Sequence, residues 1–134
     1  MIYRARTMNL LADKADAVRA VSLRAASYVN AHYPDIHVEI LENIAGIREQ
    51  IHMVTRCESL AALEAYEVQR AHDPGWLALV AEVTEIQGTT EVVDNLYHVL
   101  PTTAHHASGA GSEHAQFDTT HIPIGTPLLE DVEP

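Results

Sequence analysis

The sequence predicts one α+β domain over residues 1–101, with elements in the order β-α-β-β-α-β, followed by a tail or arm over residues 102–134. Three patterns carry this prediction. Residues 36–42 and 51–57 alternate apolar and polar side chains around a glycine-containing connection, which is the pattern of a hairpin. A long stretch before the hairpin has apolar residues at helical spacing, and a second helical region after it has its own capping signals and leads into a last strand.

Taken in order, Ile2 to Leu11 alternates loosely without Pro or Gly and reads as a strand over about residues 1–9. Asp13 is placed to cap the helix that follows, Lys14 to Tyr33, which is rich in Ala, Val, Leu and Arg. Val18, Val21, Ala25, Val29 and His32 share one face of it, and Pro34-Asp35 stops it. In the hairpin, Ile36, Val38 and Ile40 share one face of the first strand. Asn43 to Gln50, with Gly46, forms the connection to Ile51–Cys57. Ser59 is an N-cap for Leu60 to His72. Asp73-Pro74 then supplies a second N-cap and a proline suited to a first helical turn. Trp76, Leu77, Leu79, Val80 and Val83 make this second segment amphipathic to about Ile86, where Gly88 and two threonines end it. Glu91 to Leu100 is the last strand, closed by Pro101. The order is that of the split βαβ, ferredoxin-like arrangement with a four-stranded antiparallel sheet.

Composition bounds the function. The 134 residues carry a formal net charge of −11, and all eight Lys and Arg lie within residues 1–70. A chain this acidic is repelled by phosphate backbones and anionic membrane surfaces, so neither nucleic acid nor membrane is expected as a partner. The start, Met1-Ile2-Tyr3-Arg4-Ala5-Arg6, lacks the apolar run of a secretory signal, and Cys57 has no partner for an internal disulfide, so a cytoplasmic protein is expected. From Thr102 the composition turns to Thr, His, Ala, Gly and Ser, too poor in apolar residues for a core. Two readings of this stretch stand: a mobile tail, or an arm anchored on a neighbouring subunit by Ile122, Ile124, Leu128 and Leu129.

The run Cys57-Glu58-Ser59-Leu60-Ala61-Ala62-Leu63-Glu64-Ala65-Tyr66, followed by Asp73-Pro74-Gly75-Trp76, resembles the second helical region of the dimeric α+β barrel superfamily. It is most similar to the NIPSNAP-like and antibiotic-biosynthesis monooxygenase-like branches, over about residues 1–100. The resemblance implies a homodimer whose two sheets close a barrel, and a pocket between each sheet and its own helices. It also implies a range of chemistries, from cofactor-independent oxygenation, cyclisation and isomerisation to haem degradation and to no chemistry at all, so fold narrows function little.

Two groups of residues are candidates for chemistry. If Ile36, Val38, Ile40, Ile51 and Met53 face the helices, the opposite face gathers His37, Glu39, His52 and Arg56. Arg4 and Arg6 are expected there too, because charge argues against the core side. This set suits an anionic or enolic substrate with a histidine as general base. It suits equally a set of salt bridges between two apposed sheets. On the helix side, Tyr3, Thr7, Tyr28, Thr55, Trp76, Asp94 and His98 would supply aromatic walls and a few polar groups. His98 is a candidate base there, Tyr28 and Trp76 being equally explicable as core. The register of the last strand is ambiguous, with Asn95 and Tyr97 as further candidate substrate contacts. No CxxC, HExxH, EF-hand, phosphate loop or nucleophile elbow occurs, so no metal site is expected.

The reading that follows is a small-molecule enzyme acting without an organic cofactor on a hydrophobic or polyketide-like substrate. His52, His98, His37 and Arg56 would be catalytic, and Tyr3, Tyr28, Trp76, Tyr97 and Asn95 would contact substrate. Its setting in bacterial natural-product biosynthesis comes from the resemblance alone. The alternatives are a non-catalytic NIPSNAP-like ligand-binding or assembly protein, and a haem-binding protein with one histidine ligand.

Overall fold

Strand β1 (Ile2–Leu10) occupies the middle of a four-stranded antiparallel sheet. It pairs with β3 (Gln50–Cys57) on one side and β4 (Thr89–His98) on the other, and β2 (His37–Glu42) pairs with β3 at the edge. In this computed structural model, which describes residues 1–102, the strand order is β2-β3-β1-β4. Met1–Val99 form one compact unit. The anchor residues Ile122, Ile124, Leu128 and Leu129 proposed for an arm lie outside the described residues.

Helices α1 (Ala15–His32), α2 (Leu60–Arg70) and α3 (Pro74–Ile86) stand where the periodicity puts them. All three belong to one side of the sheet, so the architecture is the expected ferredoxin-like α+β fold. The core has two parts. Ala26, Val29, Ile36, Val38, Cys57, Leu63 and Tyr66 close the β2–β3 end, and Met8, Leu10, Ala15, Val18 and Ile51 close the other. Ile51 and Val18 are fully buried, each worth about 1.5–3 kcal/mol relative to exposure.

Local chemistry explains the boundaries. Ser59 Oγ accepts the Ala62 N–H at 3.1 Å, and Asp73 accepts the N–H groups of Gly75 and Trp76, with Pro74 beside it in the first turn of α3. Gly75 is required because a Cβ there would strike the Tyr28 ring. Gly46, at φ 100°, turns the hairpin.

Three expectations are corrected. Asp13 does not cap α1; it sits inside a short 3-10 turn, Ala12–Lys14, and Lys14 occupies the cap position without a side-chain bond. The left-handed residue that ends α3 is Gln87, at φ 52°, and Thr89 and Thr90 already belong to β4. His32 is exposed and stacks on Tyr28, so the buried stripe of α1 ends at Val29.

Candidate functional site: a cleft between sheet and helices

Residues opposite one another in adjacent strands share a face of the sheet. Met8 lies opposite Ile51, so the alternate residues Ile2, Arg4 and Arg6 face the helices together with Cys57, Thr55 and Met53. Across the other pairing, His98, Leu96, Asp94 and Val92 lie on that same face. Arg4 and Arg6 are therefore on the helix-covered side, contrary to the expectation from their charge. They tolerate the position because each finds an anion. Arg4 Nη1 donates to Glu67 Oε1 of α2 at 2.8 Å, and Arg6 donates from Nε and Nη2 to both oxygens of Asp94 at 2.8 and 2.7 Å. The fork-to-carboxylate geometry of the second pair is the strong form of such a contact.

Arg70, from the last turn of α2, completes the group. Its Nη2 donates to the same Glu67 Oε1 at 2.8 Å, and its guanidinium carbon lies 4.8 Å from the centre of the Tyr66 ring and 4.7 Å from that of Trp76. The hydrogen bond from Arg6 holds the Asp94 carboxyl below its ordinary value, and the same bond raises the Arg6 guanidinium. Burial alone would push the Glu67 carboxyl up, but the hydrogen bonds and charges of Arg4 and Arg70 outweigh it and hold it down.

Beside these charges lies an apolar cavity of about 260 Å³, lined by Met8, Met53, Val21, Ala25, Trp76 and Val83 among others. Arg6 forms part of its wall. A smaller, partly open space of about 20 Å³ adjoins it, lined by Arg4, Arg6, Met53, Thr55, Arg70 and Trp76. Arg6, Met53 and Trp76 line both. The arrangement is an apolar chamber ending in a small hole surrounded by three guanidiniums.

Trp76 is held in place from behind. Asp73 accepts the hydroxyls of Tyr28, at 2.7 and 2.9 Å, and of Tyr33, at 2.6 Å, besides the two backbone N–H groups at the start of α3. The tyrosine hydrogen bonds hold the Asp73 carboxyl below its ordinary value. Burial and the bond to Asp73 push the Tyr33 hydroxyl up to about 12. Tyr28 is thus a brace between α1 and α3.

The opposite face of the sheet carries the other candidates. His37, Arg56, Tyr3 and Tyr97 form one cross-strand row, and Glu39, Val54, Ala5 and Asn95 the next. Tyr3 and Thr7, expected on the helix side, belong here, because they alternate with Arg4, Arg6 and Met8. The register of β4 puts Asn95 and Tyr97 on this face as well. His52 lies four residues from Arg56 on the same strand, about 13 Å away. It is engaged on both nitrogens, by Thr7 Oγ1 at 2.9 Å and Asn43 Oδ1 at 2.8 Å. Asn43 continues through Gln50 and Asn9 to Glu91, a polar chain along the rim of the sheet.

The named residues therefore do not converge. His37, Arg56, Tyr3 and Tyr97 are neighbours on the open face, and His52 stands apart from them on that face. Trp76 and His98 are on the helix side, His98 lying opposite Ile2 at the end of β4. Glu67 and Arg70 were absent from the candidates read from sequence. The even spacing of Arg4 and Arg6 from the core residues Met8 and Leu10 is the sequence signal that marks their face, and their charge masks it. Among the described residues no three His, Cys, Asp or Glu side chains are placed to hold a metal ion, and no helix is long and apolar enough to cross a membrane.

This sheet, with its helices on one side and a chamber between, is ferredoxin-like in topology. No family model matches the sequence, and no curated protein does. Solved structures do match. An uncharacterised NIPSNAP domain protein from Burkholderia xenovorans has a TM-score of 0.65 at 11% identity, covering 78% of this chain and 100% of that one. A candidate antibiotic biosynthesis monooxygenase from Deinococcus radiodurans has a TM-score of 0.61 at 12% identity, with 78% and 98% covered. SnoaB, a cofactor-independent oxygenase from Streptomyces nogalater, has a TM-score of 0.59 at 12% identity, with 78% and 97% covered. At these identities the shared feature is the fold.

Proposed function

We propose that the chain is a cytoplasmic, homodimeric small-molecule enzyme that acts without an organic cofactor on a hydrophobic substrate held between its sheet and its helices. The observation that carries this reading is the chamber itself, with apolar walls and polar groups gathered at one end. Its volume of about 260 Å³ lies just below the usual span of small-molecule sites, about 300–1,000 Å³, which favours a compact substrate of two or three rings. In this reading a histidine removes a proton from an acidic carbon, and a guanidinium stabilises the enolate oxygen that results. His98 is the histidine that shares a face with Arg4 and Arg6; it stands two residues along β4 from Leu96, which is opposite Arg4, and lies outside the walls of the chamber itself. Cyclisation, isomerisation and oxygen insertion can all begin with this step. The open face, with exposed Leu41, Val93 and Tyr97, supports pairing with a second copy.

The test is turnover of dihydroxyanthrone, an aromatic ketone with one acidic carbon, followed by deuterium exchange at that carbon and by oxygen uptake. Wild type should accelerate exchange, His98→Ala should lower the rate at least about tenfold, and His52→Ala should change it only a few-fold. Exchange unaffected by either substitution would remove the histidine from the reaction.

A second reading, a non-catalytic ligand carrier, is favoured by two observations. Arg4 and Arg6 are already paired with carboxylates, and no histidine lines the chamber. Tight binding of an apolar probe with no acceleration of exchange would select it.

A further inference from the structure

We infer that the small hole beside the chamber is an oxyanion subsite, so that the ligand of this protein is an amphipathic anion: a compact apolar body with one acidic oxygen. The inference rests on the reading of the cleft as the ligand site and adds the charge of what enters it.

Size is the first argument. A space of about 20 Å³ exceeds the ~10–15 Å³ that a single water-sized group needs and leaves room for little more. It suits one oxygen of a larger molecule whose remainder fills the neighbouring 260 Å³. Polarity is the second. The hole is lined by three guanidiniums and the buried Thr55. A guanidinium has five N–H donors and no acceptor, and the bonds to Glu67, Asp94 and Tyr66 occupy only part of this set.

Charge is the third. Three cations face two carboxylates here, one positive charge in excess, in a chain whose formal net charge is −11. The Arg4 and Arg70 side chains are only 11% and 13% exposed, whereas Glu67, which bridges them, is 44% exposed. Arg4 and Arg70 are thus held inside by the fold, whereas Glu67 and the Arg6–Asp94 pair, at 42% and 41%, reach solvent at the mouth of the hole. Low-dielectric walls around such an excess focus its field on an incoming anion. Glu67 then acts as a resident competitor that partly neutralises the hole until a ligand oxygen enters.

A matched pair of fluorescent probes tests this: anilinonaphthalene sulfonate, which is anionic, and its uncharged parent phenylnaphthylamine. Trp76, the single tryptophan, reports binding in the chamber by energy transfer. The sulfonate should bind at least about tenfold tighter than the neutral probe. Arg6→Gln should abolish most of that preference. Glu67→Gln, at a half-exposed helix position, should tighten sulfonate binding several-fold and leave the neutral probe unchanged. Partial unfolding would expose apolar surface and raise binding of both probes, so a gain confined to the sulfonate is the diagnostic result.

Equal binding of the two probes, both quenching Trp76, would leave the cleft as an apolar site and overturn the anion subsite. So would a sulfonate preference unmoved by Arg6→Gln and by Glu67→Gln. If neither probe quenched Trp76, the cleft reading itself would fall, and the subsite with it.

Discussion

Helices α1 and α3 lie side by side and use their apolar residues in opposite ways. In α1, Ala15, Val18, Val21, Ala25, Ala26 and Val29 are buried, with Ser22 among them, and the polar remainder faces out. In α3, which is far richer in apolar side chains, no residue is fully buried. Leu77 and Val80 are 46% and 38% exposed, and Trp76, Leu79, Val80 and Val83 line the chamber. The inner face of β4, with Val92 and Leu96 exposed, repeats the pattern on the sheet. One half of the molecule consumes its apolar surface in folding, while the other keeps it. Apolar surface left beside guanidiniums is what a ligand site requires, and a core does not.

The largest effect that sharpens this contrast is in stability. Ile51→Ala, beneath α1, should cost about 3–4 kcal/mol in urea unfolding, by lost transfer energy plus a cavity that cannot collapse. Val80→Ala, on α3, should cost under about 1 kcal/mol, because its side chain is already partly in water. Equal costs would mean that α3 belongs to the core.

Much of this half-and-half arrangement is legible in the sequence, and part of it is misleading there. The hairpin, the caps at Ser59 and Asp73 and the element order follow from local signals, and each holds in the structure. The placement of β1 does not follow from charge. Arg4 and Arg6 look like surface residues because their anions, Glu67 and Asp94, lie 63 and 88 residues away. A side chain's partner across a sheet or on a later helix is invisible to any short window. For the same reason Tyr3 and Thr7 were expected beside Trp76 and lie on the opposite face. Tyr28 looks like pocket wall, yet its hydroxyl is spent on Asp73, 45 residues on. The stripe of α3 reads as core in the sequence, because amphipathicity reveals an apolar face but not what covers it.

A smaller effect concerns pH. Asp94 and Glu67 have folded-state values below their ordinary 3.8 and 4.5. A depressed carboxyl contributes stability that is complete above its unfolded value and disappears as pH falls through the folded one. The urea midpoint should therefore drop as pH falls below about 4.5, and the drop should be shallower in Asp94→Asn, which has no carboxyl to protonate. An unchanged acid limb in that variant would mean that the Arg6–Asp94 fork adds nothing to folding, as many exposed pairs do.

The central claim is that the space under α3 is a site and not a packing defect. The most direct measurement is the affinity of neutral phenylnaphthylamine for Val80→Trp, in which an indole projects into the chamber. The claim requires probe binding to fall at least about tenfold while urea stability stays within about 1 kcal/mol of wild type. Binding of the probe at full strength with the chamber filled would contradict it.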